Sequence, residues 1–139
     1  MFYNKNICIY EIHDKRNFDM PYRKVATREL AKLLGVLSNP YRIRILEELR
    51  AGELRVGEIQ EKVELRPATV SQHLAVLRAH QVISERREGR NVYYHLNNPE
   101  LAHWLADGLN FVIPEAKESR KVRSAIKAAK ELWLGDEET

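Results

Sequence analysis

Apolar residues recur along the chain with helical spacing, give way briefly to an alternating pattern, and then resume helical spacing. Val25, Leu30, Leu33, Leu34 and Leu37 form a heptad-like run that stops at Ser38-Asn39-Pro40. Asn39 can cap and Pro40 can open the next helix, whose Ile45, Leu46 and Leu49 face inward until Gly52 ends it. From Arg55 to Val63 a short helix carries Val56, Ile59 and Val63, and the turn Glu64-Leu65-Arg66 leads to Pro67 and a further helix. In that helix Val70, Leu74 and Leu77 repeat at i, i+4 and i+7 and share one stripe. Two short helices joined by a tight turn predict a helix-turn-helix. The period then changes: Val82 to Arg87 and Asn91 to Leu96 are rich in β-branched and aromatic residues around the turn former Glu88-Gly89-Arg90, which predicts a β-hairpin. Asn98-Pro99-Glu100 repeats the cap-plus-proline signal ahead of Leu101, Trp104, Leu105, Leu109 and Val112 on one helical face. Pro114 separates that helix from a last one with Val122, Ala125, Ile126, Ala129, Leu132 and Trp133 in a stripe.

The predicted fold is therefore mainly α within the α+β class, a winged helix-turn-helix in the order helix, helix, helix, helix, β-hairpin, helix, helix. Residues 1–20 show neither a helical stripe nor clear turn chemistry, only a β-tolerant piece around Ile7, Ile9 and Tyr10, and are expected to form an extension or arm. Residues 21–113 make the winged domain and residues 114–139 an additional C-terminal helix.

The chemistry sits on the side of the 67–79 helix that faces away from its apolar stripe. Ala68, Thr69, Ser71, Gln72 and Ala75 gather there: short, uncharged and able to hydrogen-bond at close range. Gln72 presents a donor and an acceptor to one base edge, most naturally adenine N6 and N7, while Thr69 and Ser71 can reach a base or a phosphate. Arg66, just before the helix, either adds a phosphate or guanine contact or is simply solvated. At the hairpin tip Arg86, Arg87 and Arg90 cluster, and Arg87 and Arg90 fit phosphate contacts. Tyr93 and Tyr94 alternate faces, so one packs inward and the other, taken as Tyr93, reaches the backbone. His73 falls towards the core side and is expected to be structural.

Composition narrows the function classes further. At 139 residues the chain has room for one real core, and 31% charged against 44% apolar residues indicate a globular chain. A net charge of +3 permits an anionic partner without demanding one. No apolar run approaches membrane-spanning length and no signal-peptide stretch opens the chain, so a soluble, cytoplasmic protein with no membrane partner is expected. The single cysteine, Cys8, rules out an intrachain disulfide and a multi-cysteine zinc site within one chain. No paired carboxylates, nucleophile with base, or glycine-rich phosphate loop suggests an enzyme.

The stretches LSNPYRIRILEELRAGELRVGEI and LRPATVSQHLAVLRAHQVISERREGRNVYYHL resemble the ArsR/SmtB family of dimeric bacterial and archaeal transcriptional repressors. The resemblance covers about residues 25–113 and rests on L-S-N-P-x-R-x-x-I-L, T-V-S-x-H-L and R-x-E-G-R-x-V-Y-Y. It implies a homodimer, paired through the first and post-wing helices, that binds a palindromic operator in double-stranded DNA. Family members usually carry a small polar cap where Arg66 stands, so Arg66 is a departure. Two metal-sensing patterns of the family are missing. Arg55 and Gly57 occupy the places of the thiolates in E-L-C-V-C-x-L, and aligning His103 with the first histidine of the post-wing site puts Leu101, Pro114 and Lys117 at its other positions. His103 and Asp107 could place two ligands on one ion, which is a weak site. No metal and no cofactor are expected, and the small-molecule effector, if any, is not specified. The competing reading is a winged-helix protein interaction module, although a docking helix would more often expose aromatics or leucines than the small face of residues 68–75.

Overall fold

The computed structural model describes residues 21–112 and 119–135. The chain divides into two compact units, residues 1–35 and 36–139. The first holds most of helix α1 (Pro21–Leu37), which starts one turn before the expected Val25. Thr27 Oγ1 donates to the Arg23 carbonyl at 2.8 Å, and Lys32 pairs with Glu29 at 2.8 Å, so the polar side is knitted locally. Along the other side Val25, Leu30 and Leu34 stay exposed.

The second unit is built around helices whose ends are set by identifiable caps. Asn39 Oδ1 accepts from the backbone N–H groups of Tyr41 and Arg42 at 3.0 and 3.1 Å and so starts α2 (Pro40–Glu48), with Pro40 in the first turn. The helix does not run to Gly52 as expected. It tightens to a 3-10 turn over Leu49–Ala51, and Gly52 takes φ 141°, which suits a residue without Cβ. Strand β1 (Leu54–Arg55) follows and then α3 (Val56–Val63), where Glu58 accepts from the Arg55 backbone N–H at 2.8 Å. Glu64 ends α3 in the left-handed conformation, φ 56°, and turns the chain into α4 (Pro67–Ala79).

Strands β2 (Ile83–Glu88) and β3 (Asn91–Leu96) form the expected hairpin around Gly89, φ 61°. Its register pairs Ile83 with Leu96 and Glu88 with Asn91. The sheet has a third member that sequence pattern did not reveal: β1 pairs antiparallel with β3, Leu54 opposite Tyr94 and Arg55 opposite Tyr93, giving the order β1-β3-β2. Two residues carry no period of their own, so only the free edge of β3 makes them a strand.

After the sheet come α5 (Glu100–Gly108), a 3-10 turn over Leu109–Phe111, and α6 (Ser119–Leu134). The core is aliphatic: Ile45, Leu46, Ile59, Val70, Leu77 and Ile83 are buried to within about 1% of their surface. Each such side chain contributes roughly 1.5–3 kcal/mol through the apolar surface it removes from water. From α5 into the 3-10 turn the expected apolar face is half-buried at Leu101, Leu105 and Leu109. The residues turned into the core are Ala102 and Ala106, whereas Trp104 and Val112 are nearly half exposed. Small side chains let α5 lie close against α2. On α6 Val122, Ile126, Ala129 and Trp133 are half-buried, while Leu132 and Ala125 are exposed. The expected arm over residues 1–20, with Cys8, lies outside the described residues, as do Pro114 and Lys117.

Candidate nucleic-acid interface

Helix α4 carries two faces of opposite character. Val70, Leu74 and Leu77 are buried against the rest of the unit, with α2 and α3 packed on that side. Arg66, Ala68, Ser71, Gln72 and Ala75 are exposed, and Thr69 is half-buried. All residues picked from sequence for this face thus come to one side of one helix, and no carboxylate stands on it. Arg66 does not cap the helix with its side chain, which leaves the guanidinium directed by other forces. Its backbone carbonyl instead accepts from Thr69 and Val70 N–H at 3.0 and 3.1 Å.

His73 lies at the border between the faces, its ring centroid 5.9 Å from that of Tyr41. Burial and then the nearby Arg42 charge push its pKa below the ordinary imidazole value, so it is neutral at pH 7 and adds no cation to the outer face. This agrees with a structural role. At the other end of α4, Arg78 Nη1 donates to Glu85 Oε2 of β2 at 2.7 Å, which ties the helix to the hairpin. Tyr94 is on the same side as Glu85, and burial followed by that carboxylate's charge raises its phenol above the usual value.

The hairpin tip is less uniform than its sequence suggests. Arg87 keeps 74% of its side chain exposed, with Glu85 only as close as 3.8 Å, and Arg90 is exposed in the turn. Arg86 is engaged on three sides. Its Nη2 and Nε donate to the two carboxylate oxygens of Glu53 at 2.6 and 3.2 Å, its Nη1 donates to Glu88 at 2.7 Å, and its guanidinium lies 4.7 Å over the Tyr93 ring. The hydrogen bond from Arg86 is the main reason that Glu53 is held below the usual carboxylate range. Tyr93, chosen from sequence as a backbone contact, therefore has one ring face covered by Arg86. Glu53 is 33 residues from Arg86 in the chain, and pairing of β1 with β3 is what brings it there. No sequence period signals that meeting.

Among the described residues no group of three or more His, Cys, Asp or Glu side chains could hold a metal ion, and His103 and Asp107 gain no third ligand. No helix of the described residues is long and apolar enough to cross a membrane.

The family model described as "Bacterial regulatory protein, arsR family" matches residues 39–84, which hold α2, the helix-turn-helix and the start of β2. The Biofilm growth-associated repressor of Agrobacterium fabrum is 35% identical over 86 residues, covering 62% of this chain and 74% of the relative. The transcriptional repressor SdpR of Bacillus subtilis is 36% identical over 76 residues, covering 55% of this chain and 84% of the relative. The chain belongs to the ArsR family. Among solved structures, the homodimeric winged helix-turn-helix DNA-binding domain from Mycobacterium bovis superposes with a TM-score of 0.55 at 27% identity, over 60% of this chain and 78% of that one. As an ArsR-family protein with a winged helix-turn-helix, this chain is a DNA-binding transcription regulator and not an enzyme. The docking-module reading is not favoured by these matches, which include repressors and a DNA-binding domain.

Proposed function

We propose that the chain is a cytoplasmic, homodimeric repressor that reads a palindromic operator with α4 and holds the flanking backbone with its wing. The observation that carries this reading is the division of labour on one surface: an uncharged, hydrogen-bonding outer face on α4 beside the exposed cations Arg87 and Arg90. Gln72 is the base reader. Ser71 and Thr69 make shorter contacts to bases or phosphates, Ala68 lets the helix approach closely, and Arg66 reaches an adjacent phosphate or guanine. Tyr93 contributes to backbone contact only through its edge, since Arg86 covers a ring face. Residues 21–113 supply binding and pairing, with residues 1–20 as an arm and 114–139 as an added helix. Support for the dimer comes from the homodimeric M. bovis domain and from the apolar side chains that α1 leaves exposed. In such a dimer the two α4 helices lie about 34–36 Å apart, one turn of DNA. The signal that releases it is not a metal at either of the family's two patterns, because the ligands at those positions are replaced.

The test is a pair of binding isotherms, on an operator selected from a random duplex library and on its scrambled counterpart. Gln72→Ala is expected to cost on the order of 1–3 kcal/mol on the operator and almost nothing on the scrambled duplex. Equal losses on both would show that α4 is not reading bases.

A further inference from the structure

A cavity of about 450 Å³ lies between the end of α2, the last turn of α3 and the last turns of α6. Its size is in the range of small-molecule sites. One wall is polar, formed by Arg44, Glu48, Arg50 and Lys62, and the opposite wall is apolar, formed by Leu132 and Trp133 of α6. Helix α6 lies outside the segment matched by the family model, so this cavity is assembled from shared and added parts of the chain.

The charges on the polar wall do not cancel. Glu48 is paired twice, with Arg44 Nε at 3.2 Å and with Lys62 Nζ at 3.1 Å. Glu47, also in the lining, keeps only 12% of its side chain exposed. It lies 3.5 Å from Arg44 Nε, and burial, then the neighbouring Glu48 charge, moves its pKa above the usual carboxylate value. Three cations, Arg44, Arg50 and Lys62, thus face two carboxylates, Glu47 and Glu48, a formal excess of one positive charge. Arg50 is held where the two walls meet, since its Nη2 donates to the Leu132 carbonyl at 3.3 Å, one residue from the Trp133 indole. A guanidinium and an indole that line the same cavity are matched by a ligand with a carboxylate on a flat apolar body.

We propose that this cavity is an effector site for a small aromatic carboxylate, with Arg50 receiving the acid and Trp133 the ring. The regulatory half of the proposal rests on the DNA-binding reading above. Its route is short. Arg44 Nη2 donates to the Lys62 carbonyl at 3.3 Å, and Lys62 is followed by buried Val63 and by Glu64, the left-handed residue that turns α3 into α4. A carboxylate that draws Arg44 and Lys62 towards it acts on the turn that orients α4, and by linkage DNA must alter ligand affinity by the same factor.

The experiment uses the full chain with 1-naphthoate as probe and 1-naphthylmethylamine as the cationic molecule of the same ring. Calorimetry is expected to show saturable one-site binding of the naphthoate, roughly tenfold or more tighter than the amine. Arg50→Gln should weaken it by about tenfold through loss of the acid's partner. Ala129→Met, which fills the cavity from α6, should do the same and keeps the test decisive if Arg50→Gln lowers the melting temperature. No saturation, equal binding of the amine, or undiminished binding by folded variants would overturn the site. A random duplex is then titrated with and without saturating naphthoate, and a shift of about threefold or more in DNA affinity is expected. Naphthoate binding with unchanged DNA affinity would overturn the regulatory role. Naphthoate binding by a chain that binds no duplex would instead overturn the DNA-binding reading and leave the site standing.

Discussion

Of the three arginines at the wing, Arg86 is bound up in ion pairs while Arg87 and Arg90 are exposed, and under the proposed DNA-binding reading this has a measurable consequence in salt. Arg86 is held by both oxygens of Glu53 and by Glu88, whereas Arg87 is 74% exposed and Arg90 stands in the open turn. The perturbation is a set of charge-removing variants: Arg87→Gln, Arg90→Gln, and the double variant Glu53→Gln with Arg86→Gln, which removes a cation and its anion together. Each lost phosphate contact reduces the slope of log K against log salt by about 0.9. Over a fourfold rise in salt, from about 50 to about 200 mM, one contact corresponds to roughly a 3.5-fold change in affinity and two to roughly 12-fold. In a homodimer each substitution removes two phosphate contacts, so Arg87→Gln and Arg90→Gln should each flatten the salt dependence by about 1.8, and together by about 3.6. The double variant at 53 and 86 should leave the slope where it is. Fluorescence anisotropy with a labelled random duplex at several salt concentrations measures all of these. If the double variant flattens the slope as much as Arg87→Gln does, Arg86 is a phosphate contact and the clamp by Glu53 gives way on DNA.

Other expectations concern the frame behind the interface. Asn39→Ala removes the acceptor of two N–H groups at the start of α2 and should cost about 1 kcal/mol in urea unfolding. Ile59→Ala, at a fully buried position of α3, should cost about 2–5 kcal/mol with an unchanged denaturant slope, and a loss well below that range would mean the site collapses to fill its cavity. His73 has a folded pKa below its ordinary 6.5. The unfolded chain therefore binds more protons as pH falls, so its stability contribution is complete above pH about 6.5 and is lost as pH drops through the folded value. Melting temperature followed downward from neutral pH should fall less in His73→Gln than in the native chain, and parallel curves would remove the assignment.

Much of the candidate interface was readable because helices encode their faces locally. The i, i+4, i+7 repeat of Val70, Leu74 and Leu77 settles which side of α4 is buried, and the opposite side, with Ser71 and Gln72, follows from geometry alone. The caps at Asn39 and Pro40 and the turn at Gly89 were legible for the same reason: each depends on a few adjacent residues. Periodicity gathers the large residues of α5 on one face but does not say how deeply that face is covered. The close approach of α2 selected Ala102 and Ala106 for the core, and left Trp104 and Val112 largely outside.

By itself, then, the order of residues determined the helices and the hairpin, the exposed face of α4 and the cationic tip of the wing, because these arise from interactions spanning a turn or two of chain. Only tertiary structure decided which charges remain available. Pairing of β1 with β3 carries Glu53 to Arg86 across 33 residues, and the packing of α6 carries the Leu132 carbonyl to Arg50 across 82. Ion pairs act over a few ångströms of space regardless of separation along the chain, so a sequence that shows three arginines in a row of positions does not show which of them is already held.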